Sequence, residues 1–197
     1  MLHNYLKNIS IVLASQSPRR IELLKMLDIK FLQKKSVADE TIHAEDHQNP
    51  RQYVCRIASE KCKNIADEMD RDCLIIAADT IVYHEQQILG KPINETAALD
   101  YLSLLSGKTH AVYTAICIRY KAMQYSVVER TSVTFKKLTE QEIRDYIATG
   151  EPMDKAGAYG IQGYGSQFVK KINGCYFNVM GFPIHKFYQL IEKIFKG

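Results

Sequence analysis

The 197-residue sequence lacks the features that mark several classes of protein. It has no tryptophan, only five prolines, and no run of Lys or Arg longer than two. Lys and Arg number 26 against 22 acidic residues, so the formal net charge is only +4. A charge this small and scattered forms no basic patch for nucleic acid, and no stretch approaches the roughly 18 apolar residues of a membrane helix. We therefore expect neither nucleic acid nor a membrane among its partners.

Cysteine is also too sparse and too irregular to define a framework. The five cysteines are an odd number and lack CxxC spacing, which excludes a disulfide scaffold and a zinc ribbon. The apolar stretch at residues 9–14 is too short for the core of a signal peptide. We expect a soluble, reduced, cytoplasmic protein. At this length the chain suits one domain over residues 1–197.

Strand and helix patterns alternate, which predicts an α/β fold with a mixed, partly antiparallel sheet flanked by helices. One predicted strand is interrupted, because the polar pair Asp79-Thr80 follows a continuous apolar run. The two long segments rich in Val, Thr and Tyr suit an antiparallel pair. The predicted strands cover residues 9–14, 31–37, 73–78, 81–84, 109–120 and 124–135.

Capping and turn residues predict where several helices begin and end. Ser17 and Asn94 suit N-caps, and Thr139 with Glu142 forms a capping box before a helix that Gly150 ends. Further helices are predicted over residues 50–69 and from residue 183 onward. The pair Asn173-Gly174 predicts a hairpin turn between strands at 168–172 and 175–179.

The segment at residues 15–20, Ser-Gln-Ser-Pro-Arg-Arg, lies where the first strand meets a helix. Two arginines in the first helical turn lie at the positive end of the helix dipole, where each costs about 0.3–1 kcal/mol. A bound anion would remove this conflict, because free N–H groups, two hydroxyls and two guanidinium groups would converge on it. The pattern favours a phosphate site. The alternative is a solvated arginine pair on an ordinary helix.

Acidic residues follow two of the predicted strands. Asp79 ends a buried strand, where a side chain is held rigidly at a cleft and suits catalysis, although an Asx-turn or helix cap explains it equally well. Asp39-Glu40, in the loop after the second strand, could add oxygen ligands for Mg²⁺ or simply be solvated.

Two glycine-containing segments invite comparison with phosphate and nucleotide loops. Residues 106–109, Ser-Gly-Lys-Thr, are not a Walker motif, since Leu102 stands where that motif needs glycine and a helix precedes the segment. Residues 151–163 contain several glycines that permit close approach of a ligand, and Gln162 could read a base edge. A flexible loop is the alternative for this segment.

Eight segments in a fixed order resemble the Maf family of nucleotide pyrophosphatases, over about residues 9–183. They are LASQSPRR at 13–20, DE at 39–40, YVCRIASEK at 53–61, AADTIV at 77–82, LGKP at 89–92, LSGKTHAVYTA at 105–115, EPMDKAGAYGIQG at 151–163 and VMGFP at 179–183.

The resemblance implies a fold related to house-cleaning nucleoside triphosphatases, with two lobes around a cleft. It implies hydrolysis of a nucleoside triphosphate to the monophosphate and pyrophosphate with Mg²⁺ or Mn²⁺, and commonly a homodimer. SPRR and GIQG are similar to the branch that acts on dTTP and UTP, with modified pyrimidine nucleotides as further candidates. The alternative is a nucleotide-binding regulator of septum formation without physiological hydrolysis.

Site residues carry over where the motifs match. The resemblance makes Asp79 the proton acceptor, and we expect Glu40 and Asp79 to hold the metal. Because metal ligation lowers the basicity of a carboxylate, activation of water by the metal itself is an alternative to proton transfer to Asp79. The expected specificity residues are Arg19, Thr80 and Gln162, and the expected substrate-binding residues are Ser15, Ser17, Arg20, Lys61 and Lys91.

Overall fold

The computed structural model describes residues 1–69 and 72–196. Within these residues, seven strands form one mixed sheet in the order β2-β1-β3-β5-β6-β7, and β4 pairs with β3. This arrangement confirms the predicted mixed α/β class. The strands are β1 (Ile11–Leu13), β2 (Leu32–Gln33), β3 (Leu74–His84), β4 (Gln87–Leu89), β5 (Thr109–Tyr120), β6 (Met123–Phe135) and β7 (Val169–Asn173).

Helices cover both faces of the sheet. They are α1 (Leu2–Leu6), α2 (Pro18–Met26), α3 (Pro50–Ala66), α4 (Glu95–Leu105), α5 (Glu140–Ala148), α6 (Tyr176–Val179) and α7 (Ile184–Lys196). Short 3₁₀ helices cover Ala44–Gln48, Glu151–Asp154, Ala156–Ala158 and Gly163–Phe168. None of the helices in the described ranges is long and apolar enough to cross a membrane.

The long central strand β3 has two different neighbours along one edge. Its first part pairs with β1 in parallel, up to Ile76 opposite Leu13. Its last part pairs with β4, starting at Val82. No described strand pairs with this edge between those two points, while the other edge pairs with β5 from Leu74 to Tyr83. The gap opens where β1 ends and its chain turns into α2, the kind of position where α/β sheets bind ligands.

Alternate residues of β3 face different hydrophobic clusters, as the two-residue period of a strand requires. Ile75, Ala77 and Ile81 pack against α3. Leu74, Ile76 and Ala78 pack in a second cluster with α2 and α7. A third cluster joins α4, α5 and the far ends of the long strands. By this alternation, Asp79 lies on the α3 face of the sheet and Thr80 on the α2 face.

Several predicted helix boundaries are confirmed. The Asn94 side chain accepts a hydrogen bond from Ala97 N at 2.8 Å. Thr139 and Glu142 form the predicted reciprocal capping box. Gly150 follows α5 in the left-handed conformation, with φ of 73°. Ser17 precedes α2 as predicted, but its side chain makes no capping hydrogen bond.

The predicted break in the central strand is wrong. Asp79 and Thr80 continue β3, because they pair with Ala115 and Thr114 of β5 without a change of register. Thr80 also shares a side-chain hydrogen bond with Thr114 at 3.0 Å. A polar pair that finds partners across the ladder does not interrupt a strand.

The predicted hairpin at Asn173-Gly174 is also wrong. Residues after Gly174 form α6 instead of a strand, and β7 pairs with β6. Gly174 has φ of +129°, and a Cβ atom there would lie 2.9 Å from Thr131 Oγ1. The glycine therefore permits close passage over β6 and not a two-residue turn.

Two peripheral parts of the fold, an edge strand and the N-terminal helix, also differ from the sequence prediction. Strand β2 is much shorter than predicted, and both of its residues are exposed at the sheet edge. Helix α1 was not predicted; its Leu2 and Leu6 are buried in the same cluster as Phe187 and Leu190 of α7. Five residues carry too little periodic pattern to indicate a helix without knowledge of that contact.

His110 is a buried histidine among aromatic rings. Its Nε2 lies 2.8 Å from the Tyr159 hydroxyl, and the Phe135 ring packs edge-on at 4.9 Å between centroids. Burial, with a further contribution from His84, lowers the pKa of His110 to about 3 from an ordinary value of 6.5. The folded protein therefore keeps this imidazole neutral under conditions where the unfolded chain binds a proton.

We expect acid to destabilise the fold through His110. Because its pKa is depressed in the folded state, stability is complete above pH 6.5 and falls as the pH drops toward 3, by about 1 kcal/mol per pH unit. Urea unfolding between pH 7.5 and 4.5 measures this slope. The variant His110→Gln should show a shallower slope, and equal slopes in both proteins would contradict the assignment.

Candidate active site

A cavity of about 710 Å³ opens at the gap beside β3. Its walls come from the end of β1 and the start of α2, from the loop around Glu40, and from the segment after α5. Among the described residues, its charged lining comprises more cations than anions. The cations are Arg19, Arg20, Lys35, Lys61, Lys91 and Lys155, and the carboxylates are Glu40, Asp79 and Asp154. This balance suits a polyanionic ligand.

The amino-terminal turn of α2 forms one wall of the cavity. Ser15 Oγ accepts hydrogen bonds from Ser17 N and from Arg20 Nη1, both at 3.2 Å. Arg19 leaves a quarter of its side chain exposed and lies 3.4 Å from Asp154 on the opposite wall. Ser15, Ser17 and Arg19 are therefore grouped at a helix N-terminus, as the anion-site prediction requires.

Arg20 differs from Arg19 because its guanidinium group already donates hydrogen bonds to other protein atoms. Nε donates to Gly181 O at 2.9 Å, and Nη2 donates to Thr80 Oγ1 at 2.9 Å. Burial lowers the pKa of Arg20, and nearby Asp79 opposes that shift. Arg20 thus joins α2 to β3 and to the loop after α6, which is a positioning role that the sequence did not indicate.

The hydrogen bonds continue from Arg20 into the core in one direction. Thr114 donates to Asn178 O at 2.9 Å, so the Thr80 hydroxyl has to donate to Thr114 Oγ1. The Asn178 amide donates in turn to Val112 O and Thr131 Oγ1. Thr114, Thr131 and Asn178 are fully buried. Sequence reasoning missed this network, and its only signal was polar residues inside otherwise apolar segments.

Lys61, on α3, lies between the two carboxylates predicted to act together. Its Nζ is 2.7 Å from Asp79 Oδ1 and 2.7 Å from Glu40 Oε1. Lys91 pairs with the other oxygen of Glu40 at 3.2 Å. Burial raises the pKa of Glu40, but the two ammonium groups outweigh it and leave the pKa below 4.5. The Tyr53 hydroxyl holds the loop by donating to Glu40 O at 2.8 Å.

The carboxylate pair fits a divalent cation that arrives with phosphate. In residues 1–69 and 72–196, no three His, Cys, Asp or Glu side chains are grouped so as to hold a metal alone. Mg²⁺ commonly takes one or two protein carboxylates and completes its shell with phosphate oxygens and water. Glu40 and Asp79, which contact one and the same ammonium, match that requirement.

The glycine-rich segment after α5 is ordered around Glu151. Its carboxylate accepts hydrogen bonds from Tyr164 N at 2.9 Å and Gly165 N at 3.1 Å, and from the Tyr146 hydroxyl at 2.9 Å. A Cβ atom on Gly165 would lie 2.5 Å from Gly160 O, so only glycine permits this close approach. The flexible-loop alternative for this segment does not match these contacts.

The structure brings together nearly all of the predicted site residues. Ser15, Ser17, Arg19, Arg20, Glu40, Lys61, Asp79, Thr80 and Lys91 line one cavity. Gln162 is half-buried and is not among the lining residues, although its neighbour Ile161 is. The sequence did not single out Lys35, Asp154 or Lys155, which line the same cavity. Asp39 instead caps its own loop, accepting from Thr41 N at 2.9 Å.

The fold and the site define a mixed α/β protein with a cationic cleft, built at the open edge of a central strand around an acid pair. A family model described as "Maf-like protein" matches residues 10–194. The chain therefore belongs to the Maf family.

The chain is also similar to several named proteins. A protein of Bacillus cereus strain B4264 named dTTP/UTP pyrophosphatase is 47% identical over 93% of this chain and 94% of its own length. A protein of the same name from Bacillus cereus strain AH187 is 48% identical over the same shares. A solved structure of the Staphylococcus aureus Ham1 protein has a TM-score of 0.45 and 16% identity, covering 81% of this chain and 79% of that one.

The contrast between the two adjacent arginines predicts different effects on stability. Arg20→Met leaves Gly181 O and Thr80 Oγ1 without their donor and removes one of the two donors to Ser15 Oγ, so the free energy of unfolding should fall by about 2–4 kcal/mol. Arg19→Met removes only a partly exposed ion pair, so the change should stay below about 1 kcal/mol.

Urea unfolding of both variants in a buffer free of phosphate measures the difference. Each variant is the matched control for the other, because both lie in one helical turn and lose the same charge. Equal losses of stability would mean that the Arg20 hydrogen bonds do not hold the two segments together.

Proposed function

We propose that this chain hydrolyses nucleoside triphosphates, dTTP and UTP first among them, to the monophosphate and pyrophosphate. It would do so with Mg²⁺ or Mn²⁺ and in a house-cleaning role. The observation that carries the proposal is the cavity itself, which a carboxylate on a central strand lines together with a helix N-terminus and a group of cations. The names of relatives 47–48% identical over nearly the whole chain support the reaction and the substrates.

Charge at the cavity wall suits a triphosphate. Backbone N–H groups in the first turn of α2, after Pro18, and the Arg19 guanidinium would bind phosphate oxygens at one end. Lys91 and Lys155, which line the cavity, would contact the remaining oxygens and stabilise pyrophosphate as it leaves. Catalysis of this reaction depends on positioning and charge neutralisation, which this arrangement supplies.

In this proposal, Asp79 accepts the proton of the attacking water. One of its oxygens, Oδ1, is held by Lys61 at 2.7 Å. The other, Oδ2, has no hydrogen-bond donor among the described residues and belongs to a side chain that lines the cavity. Its position on β3, paired with Ala115, keeps the carboxylate fixed while water is deprotonated.

Glu40 and Asp79 are the residues that would hold the divalent cation. When bound, the cation supplies neutralisation of phosphate charge and polarisation of the phosphorus centre. Glu40 lies on a loop held by Tyr53, whereas Asp79 lies on a strand, so Glu40 is the ligand with room to adjust.

Replacement of Asp79 tests the reaction. Asp79→Asn should lower pyrophosphate release from dTTP and UTP by about 10²-fold or more, because the amide cannot accept the proton. Pyrophosphate release with Mg²⁺ across the ordinary and methylated nucleoside triphosphates measures both rate and selectivity. The matched control is Asp145→Asn, an exposed residue of α5 that should leave the rate unchanged.

Unchanged turnover in Asp79→Asn would contradict its role as proton acceptor. If no nucleotide releases pyrophosphate while calorimetry still detects nucleotide binding, the chain would act instead as a nucleotide-binding regulator.

Base selection is proposed to involve Arg19, Thr80 and Gln162. Gln162→Ala should change the ratio of kcat/KM between UTP and CTP more than it changes inhibition by tripolyphosphate, which has no base. Gln167→Ala is the matched control, since Gln167 is exposed in the same 3₁₀ helical region. Equal weakening for every nucleotide and for tripolyphosphate would make Gln162 a structural residue.

A further inference from the structure

The acid pair predicted to hold a metal already has a cation between its members. Lys61 Nζ lies 2.7 Å from an oxygen of each carboxylate. The side chains of Lys61 and Asp79 are each only 10% exposed, so water screens this contact weakly. Lys91 adds a second ammonium at Glu40, and the group of two carboxylates and two lysines carries no net charge.

Lys61 and a shared divalent cation would compete for one position. A divalent cation ligated by the two oxygens that Lys61 contacts would need the space that Nζ now occupies, 2.7 Å from each of them. The ammonium therefore has to leave before both acids can ligate the same ion through these two oxygens. A buried ammonium leaves such a position only when another anion receives it.

The proposed function supplies that anion. Lys61 lines the same cavity as Arg19 and the start of α2, where the proposed function places the triphosphate. Phosphate oxygens would accept the displaced ammonium and at the same time complete the shell of the incoming cation. Metal and nucleotide would then bind together, and neither would be held tightly alone.

We infer that Lys61 is a built-in counter-ion that keeps Glu40 and Asp79 from taking up a divalent cation until nucleotide phosphates draw its ammonium away. This inference rests on the proposed function for the identity of the phosphates. The role of Lys61 in the free protein rests only on the geometry of the three side chains.

Mn²⁺ titration without nucleotide tests the inference directly. Free Mn²⁺, followed by electron paramagnetic resonance, should bind wild-type protein at least tenfold more weakly than it binds Lys61→Met. Lys91→Met is the matched control: it removes the same charge beside Glu40, but from a lysine that is 59% exposed and does not contact Asp79. Its Mn²⁺ affinity should change by less than threefold.

A second titration includes α,β-methylene UTP, which cannot be cleaved between the α- and β-phosphorus atoms. The analogue should tighten Mn²⁺ binding at least tenfold in wild type and by much less in Lys61→Met. The double variant Lys61→Met, Asp79→Asn should lose the gain in Mn²⁺ affinity, because only one carboxylate of the pair remains.

Folding of the variant is controlled by thermal denaturation. If Lys61→Met is unstable without metal, Mn²⁺ should raise its Tm and leave that of wild type unchanged, and Lys61→Gln should behave in the same way. Equal Mn²⁺ affinity or equal Tm shifts in wild type and the Lys61 variants would overturn the inference. Because these readouts need no turnover, they stay separate from the Asp79→Asn result, which tests the proposed function.

Discussion

The cleft depends on one interaction, the ion pair of Lys61 with Asp79. A carboxylate on a central strand and almost out of contact with water is costly unless an opposite charge meets it. Lys61 reaches it from α3 and also contacts Glu40 on a loop, so one ammonium connects a helix, a strand and a loop. The same contact sets the position of both carboxylates and balances their charge in the free protein.

The open edge of β3 makes this arrangement accessible to a ligand. Between its pairing with β1 and its pairing with β4, the strand exposes Asp79 toward α3 and Thr80 toward α2. On the α3 face, the Asp79 carboxylate lines the cavity. On the other face, Thr80 passes hydrogen bonds from Arg20 through Thr114 to Asn178, deep in the core. One strand thus holds the carboxylate that lines the cavity and the network that connects it to the neighbouring helix.

Much of the fold could be predicted because its signals are local. The capping box at Thr139, the Asn94 cap and the β-branched runs of β5 and β6 each involve residues close in sequence. The predictions were wrong where contact with a segment distant in sequence determines the local structure. Asp79-Thr80 remains in a strand because β5 pairs with it, and Gly174 passes close over Thr131 instead of forming a hairpin turn. Helix α1 could not be predicted because its buried residues depend on contact with α7.

The sequence by itself determined the class of fold and the order of most elements, since residue types and spacing are local properties, and its resemblance to the Maf family indicated which residues would share a site. It also indicated an anion site, because two arginines at a helix start conflict with the helix dipole. Only the tertiary structure decided which structural role each of those residues has. Arg19 and Arg20 are adjacent and chemically identical, yet burial and three hydrogen-bond partners fix Arg20 while Arg19 faces the cavity. Likewise, Lys61 stands between Glu40 and Asp79 because three elements distant in sequence meet there, and no spacing along the chain encodes that meeting.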